Sequence, residues 1–337
     1  MSAEATSILL FSDTHIGFDH APNNKPGKNR RRGPDFFQNF KYVIDKAIEL
    51  KVDYLIHCGD VFEKQSVPTF LVDQTYAEFL RIANAGIKLV IVPGNHERSV
   101  LPPSLFLNHD NIYIFDSPQT FSFPDLSVSG FPYYRGDIRS LFPSYKEEIE
   151  SQLNPENFNL LCVHHAIDGV KAGFNFFEFR NRKDTLDIND LPGQFDLILS
   201  GHIHKHQILN TTNSKGDSVP IIYSGSTERT MFDEIEEVKG CHTFKVEGKK
   251  FKHQFHPITT RSMHRIDLKS KSIQVEQVAD FLVEQIANFD RDSIVQLIAE
   301  EEAILYELSR LKTNGFFANT MNITISGFSV LHRFKQE

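Results

Sequence analysis

Five short motifs in this 337-residue chain carry side chains able to bind metal ions: Asp13-Thr14-His15, Gly59-Asp60, Gly94-Asn95-His96-Glu97, His164-His165 and Gly201-His202-Ile203-His204. Carboxylate oxygens, imidazole nitrogens and the neutral amide oxygen of Asn suit hard or borderline divalent ions. In Asp13-x-His15 and His202-x-His204, alternate side chains of an extended segment project to one face, so each pair points together. Taken singly, every motif is ordinary. An Asp after Gly is common where a strand enters a loop, Gly-Asn-His makes a turn with a helix cap, and a lone His after a strand is usually structural. Co-occurrence decides, because all five follow apolar strand-like runs, and ligands in open α/β sheets bind beyond the strands' carboxyl ends. Two ions held there would polarise phosphoryl oxygens, lower the pKa of a shared water and clamp an in-line displacement. His96 is left over beside Asn95, free to contact the phosphate or protonate the leaving oxygen.

The elements that must position these groups alternate between short apolar runs and helical patterns, the signature of an α/β sheet. Strands are expected at 7–12, 54–58 and 88–92, and helices at 34–50 and 68–83. The first helix carries Phe36, Phe37, Phe40, Val43, Ile44 and Ala47 at helical spacing. Further strands are expected at 111–115, 126–130, 160–163, 195–200, 221–224 and 241–246, which two sheets packed face to face and flanked by helices would hold. A domain covering residues 1–256 is expected, followed by a small α+β cap at 257–337. The cap reads as strand 262–268, helix 275–287, strand 293–299, helix 301–311 and strand 319–326. The run AEEEAILYELSRL leaves open whether the third of these continues or the fourth begins.

Hydrophobic content of 40% and charged content of 24% are those of an ordinary globular protein. The 30 phenylalanines, with no tryptophan, point to a Phe-rich core before exposed stacking surfaces. A net charge of −8 excludes a surface that grips nucleic acid throughout, so any such contact must come from local patches or from phosphates meeting bound metals. Cys58, Cys162 and Cys241 lie far apart in apolar runs and read as buried free thiols of a reducing compartment. The first residues lack the basic and apolar regions of a signal peptide, and no apolar run is long enough to span a membrane. The expected location is therefore cytoplasmic.

The ordered set DTH, GD, GNHE, HH and GHIH resembles the calcineurin-like metallophosphoesterase superfamily over residues 7–205. That resemblance implies one metal held by Asp13, His15, Asp60 and His204, and a second held by Asp60, Asn95, His164 and His202. His96 would be the catalytic histidine, and either His164 or His165 could be the one projecting inward. The segment Tyr223-Ser224-Gly225-Ser226-Thr227-Glu228-Arg229, with Phe232, Glu234, Lys239 and Gly240 after it, is similar to SbcD-like DNA repair exonucleases. So are DTHIGFDH, RRGPDFFQNF and GDVFEKQSVP. This narrower likeness implies manganese (iron or zinc satisfying the same ligands), DNA and an SbcC-like coiled-coil ATPase as partners, a homodimer, and a DNA-contacting cap. Some members place a histidine three residues after the bridging Asp, where it orients DNA phosphate. Here that residue is Glu63, which bears on the balance between exonuclease and endonuclease action.

Three features are open to two readings. Lys25, Lys28, Arg30, Arg31 and Arg32 form a basic loop next to the first motif, able to hold phosphates flanking the scissile bond or simply to be solvated. Residues 172–183 interleave Phe174, Phe176, Phe177 and Phe179 with Arg180, Arg182 and Lys183, either to stack on unpaired bases or to pack under a loop. Ile304, Leu305, Leu308 and Leu311 form a helical stripe for a partner or for the cap's own sheet. Arg229 and Glu63 join the basic loop as substrate contacts. The function expected is a two-metal DNA phosphodiesterase acting on ends or single strands. Its rivals are a small-molecule phosphoesterase and a non-catalytic scaffold binding DNA or an ATPase.

Overall fold

The computed structural model describes residues 5–19, 32–103, 107–172, 177–191, 193–213, 216–269 and 273–327. These fall into two compact units. The larger holds the residues up to Phe18 and Gly33–Thr259, and the smaller holds those from Thr260 together with Asp19 and Arg32.

The chain order in the first half is β1 (Thr6–Phe11), α1 (Gly33–Leu50), β2 (Tyr54–His57), α2 (Thr69–Asn84), β3 (Lys88–Ile91), β4 (Ile112–Ile114), β5 (Gln119–Ser122) and β6 (Leu126–Gly130). Next come α3 (Ile138–Glu150), β7 (Phe158–Val163), four two-residue strands β8 (Ala166–Ile167), β9 (Lys171–Ala172), β10 (Phe177–Glu178) and β11 (Thr185–Leu186), and β12 (Leu197–Ser200). The larger unit closes with β13 (Gln207–Thr212), β14 (Ser218–Tyr223), β15 (Gly240–Glu247) and β16 (Lys250–Pro257).

Two six-stranded sheets, ordered β16-β15-β1-β2-β3-β4 and β13-β14-β12-β7-β6-β5, are parallel in their centres and antiparallel at every edge except β4, which pairs parallel with β3. Alternation along β1 decides the layering, because successive residues of a strand point to opposite faces. Ile8 and Leu10 join Ile56, Val90, Leu160, Cys162, Leu197 and Leu199 in the layer between the sheets. Leu9 and Phe11 turn the other way, onto Phe40, Val43 and Ile44 of α1 and Phe79 and Ile82 of α2. On the far side of the second sheet, Leu161, Val163 and Ile221 meet Ile138, Phe142 and Ile149 of α3. The result is a helix–sheet–sheet–helix stack whose parallel strands all deliver their carboxyl ends to one rim. The three cysteines are buried and free.

Strand β16 continues through Pro257, and the larger unit ends at Thr259. Helix α3 and strands β5, β13 and β16, with the two-residue strands β8 to β11, are not among the elements expected from the sequence. Helix α3 contains Pro143, which reads as a stop signal. Its start is fixed by Asp137, whose side chain accepts the Ser140 N–H at 3.1 Å.

The smaller unit runs β17 (Met263–Asp267), α4 (Val278–Ile286), β18 (Ile294–Ile298), α5 (Glu302–Thr313) and β19 (Asn322–Ser326), with a short 3-10 turn at Val275–Gln277 before α4. Its three strands are parallel in the order β17-β18-β19. The acidic run after β18 opens the helix. Ile304, Leu308 and Leu311 are buried in this unit's own core and Leu305 packs against it, so the stripe faces the unit's own sheet. Among the described residues no helix is long and apolar enough to cross a membrane.

Candidate metal centre

Each motif leaves the carboxyl end of a parallel strand: Asp13 and His15 after β1, Asp60 after β2, Asn95 and His96 after β3, His164 after β7, and His202 and His204 after β12. Four of these residues sit in the left-handed region, with φ of 52° at Asp13, 44° at His15, 54° at Asp60 and 76° at His202. Non-glycine residues rarely adopt it, each costs on the order of 1–3 kcal/mol, and such strain collects at functional sites. Here it bends the chain back at the strand ends so that side chains from both sheets converge.

The convergence is close. Asp13, His15 and His204 form one group whose ligand atoms lie within 4.8 Å of one another, and Asp60, His164 and His202 form another. His15, Asp60 and His96 form a third of the same tightness. Asp60 Oδ2 stands 3.2 Å from His164 Nε2 and 3.9 Å from both His15 Nε2 and His96 Nε2. Asn95 Oδ1 lies 3.0 Å from His164 Nε2 and 2.9 Å from His202 Nδ1. His15 Nε2 and His204 Nε2 face each other at 3.0 Å.

Several imidazoles are anchored through the nitrogen that faces away. His164 Nδ1 donates to the Cys58 carbonyl at 2.6 Å, and His96 Nδ1 to the Glu63 carbonyl at 2.7 Å. His204 Nδ1 donates to Glu234 Oε1 at 2.9 Å. His15 Nδ1 lies 2.9 Å from Glu63 Oε2, off the line of a hydrogen bond. In each case Nε2 is left to face the centre, which is how proteins orient histidine ligands. Burial works against a charge on Asp60, but His164, His15 and His96 hold it well below the usual carboxylate range, leaving an anion in the middle. Oxygen and imidazole lone pairs converging around an anion, without thiolate, fit borderline divalent ions.

His165 takes another role. Its Nε2 accepts the Tyr134 N–H at 3.2 Å, its ring stacks on Tyr133 at 4.6 Å, and burial, with His202 and His164 nearby, pushes it down to about 3. His164 is therefore the member of the pair that faces the cluster.

Of the residues read as substrate contacts, Lys28, Arg30 and Arg31 lie outside the described residues, as does Lys25. Arg32 is buried at 2% exposure. The Arg229 side chain donates to the Glu237 carbonyl at 3.1 Å. Glu63 lies among the site's histidines. Phe174 and Phe176 fall outside the described residues, Phe179 packs against the core beyond the second sheet, Arg180 pairs with Glu178, and Arg182 pairs with Asp184.

Sequence reasoning gave no role to several residues that build the centre. His57 is buried, accepts the Gly59 N–H at its Nδ1 (3.2 Å), and so presents Nε2–H to Thr14 Oγ1 at 3.1 Å. Thr14 in turn donates to the Val61 carbonyl at 3.0 Å, which ties the first and second ligand loops together. Glu97 Oε1 accepts the Val61 N–H at 2.8 Å, and burial beside Asp60 pushes that carboxyl well above its ordinary range. Tyr133 sits 5.8 Å from the His202 ring. The GNHE motif could have flagged Glu97; nothing in the sequence marked His57.

A family model described as calcineurin-like phosphoesterase matches residues 6–206. The chain is similar to the DNA double-strand break repair protein Mre11 of Sulfurisphaera tokodaii, 24% identical over 310 residues that cover 89% of this chain and 74% of that one. A protein of the same description from Methanocaldococcus jannaschii is 28% identical over 250 residues, covering 72% of this chain and 61% of that one. Among solved structures, a dimetal phosphatase from Danio rerio matches with a TM-score of 0.43 and 12% identity, over 75% of this chain and 99% of that one.

Proposed function

The chain belongs to the calcineurin-like phosphoesterase family, and on that premise we propose that it is a two-metal DNA phosphodiesterase that processes DNA ends or single strands in repair. The observation that carries the reading is the position of Asp60, whose carboxylate belongs to two of the three candidate ligand groups. One divalent ion would be held by Asp13, His15, Asp60 and His204. The other would be held by Asp60, Asn95, His164 and His202, with Asp60 shared. Manganese is the ion this reading names, and iron or zinc would satisfy the same donors. When bound, such a pair supplies Lewis acidity toward phosphoryl oxygens and acidifies water.

The protein's own groups do the rest. His96, with Nδ1 tied to the Glu63 carbonyl, directs Nε2 toward Asp60, where it can hydrogen-bond a phosphoryl oxygen or hand a proton to the leaving oxygen. Asn95 would contribute a neutral oxygen to the second ion, leaving more of that ion's charge available to a substrate. Lys28, Arg30 and Arg31 would take flanking phosphates, with an affinity that falls as salt rises, whereas Arg32 is buried and is left out of that role. Division into a nuclease unit and a capping unit, with the cap contacting DNA or a partner, belongs to the same reading. So do an SbcC-like ATPase partner, a homodimer and action in the cell interior; the similarity to two proteins of DNA double-strand break repair supports the repair role.

The test is Mn2+-supplemented digestion of linear, single-stranded and circular DNA by the wild type and by His96→Ala. Cleavage by the wild type with a loss of roughly 10²–10⁴-fold in the variant is expected for removal of an acid–base group. Turnover of a small phosphodiester without any cleavage of DNA would overturn the nuclease assignment in favour of a small-molecule phosphoesterase.

A further inference from the structure

Glu234 lies outside every ligand group, yet it is tied to one of them. It is 4% exposed and ends the short 3-10 turn Phe232–Glu234. Its Oε1 accepts from His204 Nδ1 at 2.9 Å and from Thr230 Oγ1 at 2.6 Å. Its Oε2 accepts from the Thr230 N–H at 3.2 Å and faces Lys239 Nζ at 2.7 Å. Lys239, with a side chain at 0% exposure, also bonds Glu237 Oε2 at 2.7 Å and the His204 carbonyl at 3.0 Å. One ammonium therefore holds both the carboxylate behind the His204 ring and the backbone of His204 itself.

Burying an ion pair is costly, and a staple for a surface turn does not require one. An imidazole ligand does gain from it, because a carboxylate on Nδ1–H fixes the tautomer, aims Nε2 and makes that nitrogen a stronger donor. We propose that Glu234 is a positioning residue for the ion held by Asp13, His15, Asp60 and His204, acting through His204 with Lys239 as its lock. The proposal rests on the metal-centre reading given above. It adds a dependence of one ion, and not the other, on a loop some thirty residues beyond the last ligand motif (Glu234 against His204).

Mn2+ titrated calorimetrically into metal-free protein, with electron paramagnetic resonance of the bound and free ion, tests it. Glu234→Gln keeps the size and an accepting oxygen but removes the charge. The double variant E234Q/K239M also removes the buried ammonium that the single change leaves behind. Both are expected to bind one Mn2+ as the wild type does and the other roughly 10–100-fold more weakly, with loss of the coupled two-ion signal at limiting Mn2+. Both variants are expected to fold without metal, E234Q with a thermal midpoint near that of the wild type and the double variant with a lower one, because Glu237 Oε2 and the His204 carbonyl lose the Lys239 ammonium. Two ions bound with wild-type affinities by the variants, or equal weakening of both, would overturn the proposal. A metal-free double variant that does not fold would assign Glu234 to the scaffold and overturn it as well. Failure of the wild type to bind Mn2+ or Zn2+ would instead sink the metal-centre reading itself.

Discussion

Gly59 and His164 are fitted so closely that a Cβ on residue 59 would lie 2.1 Å from His164 Nδ1. That nitrogen is the one that anchors the ring to the Cys58 carbonyl, and Gly59 itself holds a φ of +93°. Gly59→Ala therefore meets two penalties, roughly 1–2 kcal/mol for a left-handed L-residue and roughly 1–3 kcal/mol for overpacking a rigid ring. Stability in urea should fall by about 2–5 kcal/mol, and turnover of a phosphodiester by at least about 10²-fold as His164 leaves Asp60. An alanine variant as stable as the wild type would mean that the loop yields without cost.

His57 supports the same loop from beneath. Replacing it with Leu keeps the volume but leaves the Gly59 N–H and the Thr14 hydroxyl without the ring that joins them. A buried donor left unsatisfied costs about 1–3 kcal/mol. His57→Leu is expected to lose that much stability and to weaken metal uptake, whereas His57→Gln, which retains a donor and an acceptor, should lose less. Equal losses for the two would argue that ring packing against Phe11, at 4.5 Å, matters more than the hydrogen bonds.

How far the sequence could carry this reading depends on where apolar residues lie. The central strands β1, β2, β3, β7 and β12 are continuous apolar runs because both of their faces are covered, and the ligand motifs follow directly from their ends. Of the strands not expected, β5, β13 and β16 lie at the edges of the two six-stranded sheets. There one face is wet and polar side chains discourage edge-to-edge pairing, so β13 alternates half-buried and exposed residues and β16 is mostly charged or polar. The ligands were legible for a further reason: their chemistry is local to short motifs. Glu234, Lys239 and His57 act through tertiary contacts, and only His57 lies in the same run as a ligand motif. No periodicity marks such residues.

His242 on β15 supplies a pH prediction away from the ligands. It is buried, its Nε2 lies 3.1 Å from His206 Nδ1, and burial, with His206, His253 and His256 nearby, pushes its pKa down from 6.5 to about 3. The unfolded chain takes up a proton near pH 6.5 that the folded one refuses until about pH 3, so the unfolded state binds more protons across that window. The stability His242 contributes is complete above pH 6.5 and is lost as pH falls toward 3, at up to about 1.4 kcal/mol per pH unit. In His242→Phe this contribution to the acid limb of a stability–pH curve, measured by urea melts of the metal-free protein, should vanish. An unchanged slope would show that His242 accepts a proton without unfolding.

The helix α5 offers a contrast within a single turn. Leu308 is fully buried in the core of the smaller unit, while Tyr306 is 72% exposed. Leu308→Ala removes packing that the surrounding Ile304, Leu311 and Leu282 cannot close over, a change that costs about 2–5 kcal/mol. Tyr306→Ala removes none of it and is expected to stay within about 0.5 kcal/mol of the wild type. Calorimetry is the suitable measurement, since a chain with two compact units need not unfold in one step, and the loss should appear in the transition of the smaller unit. If that unit serves DNA or a partner through Tyr306 rather than through the apolar stripe, Tyr306→Ala should weaken binding while leaving the melt unchanged. The Leu308 variant should lose both together.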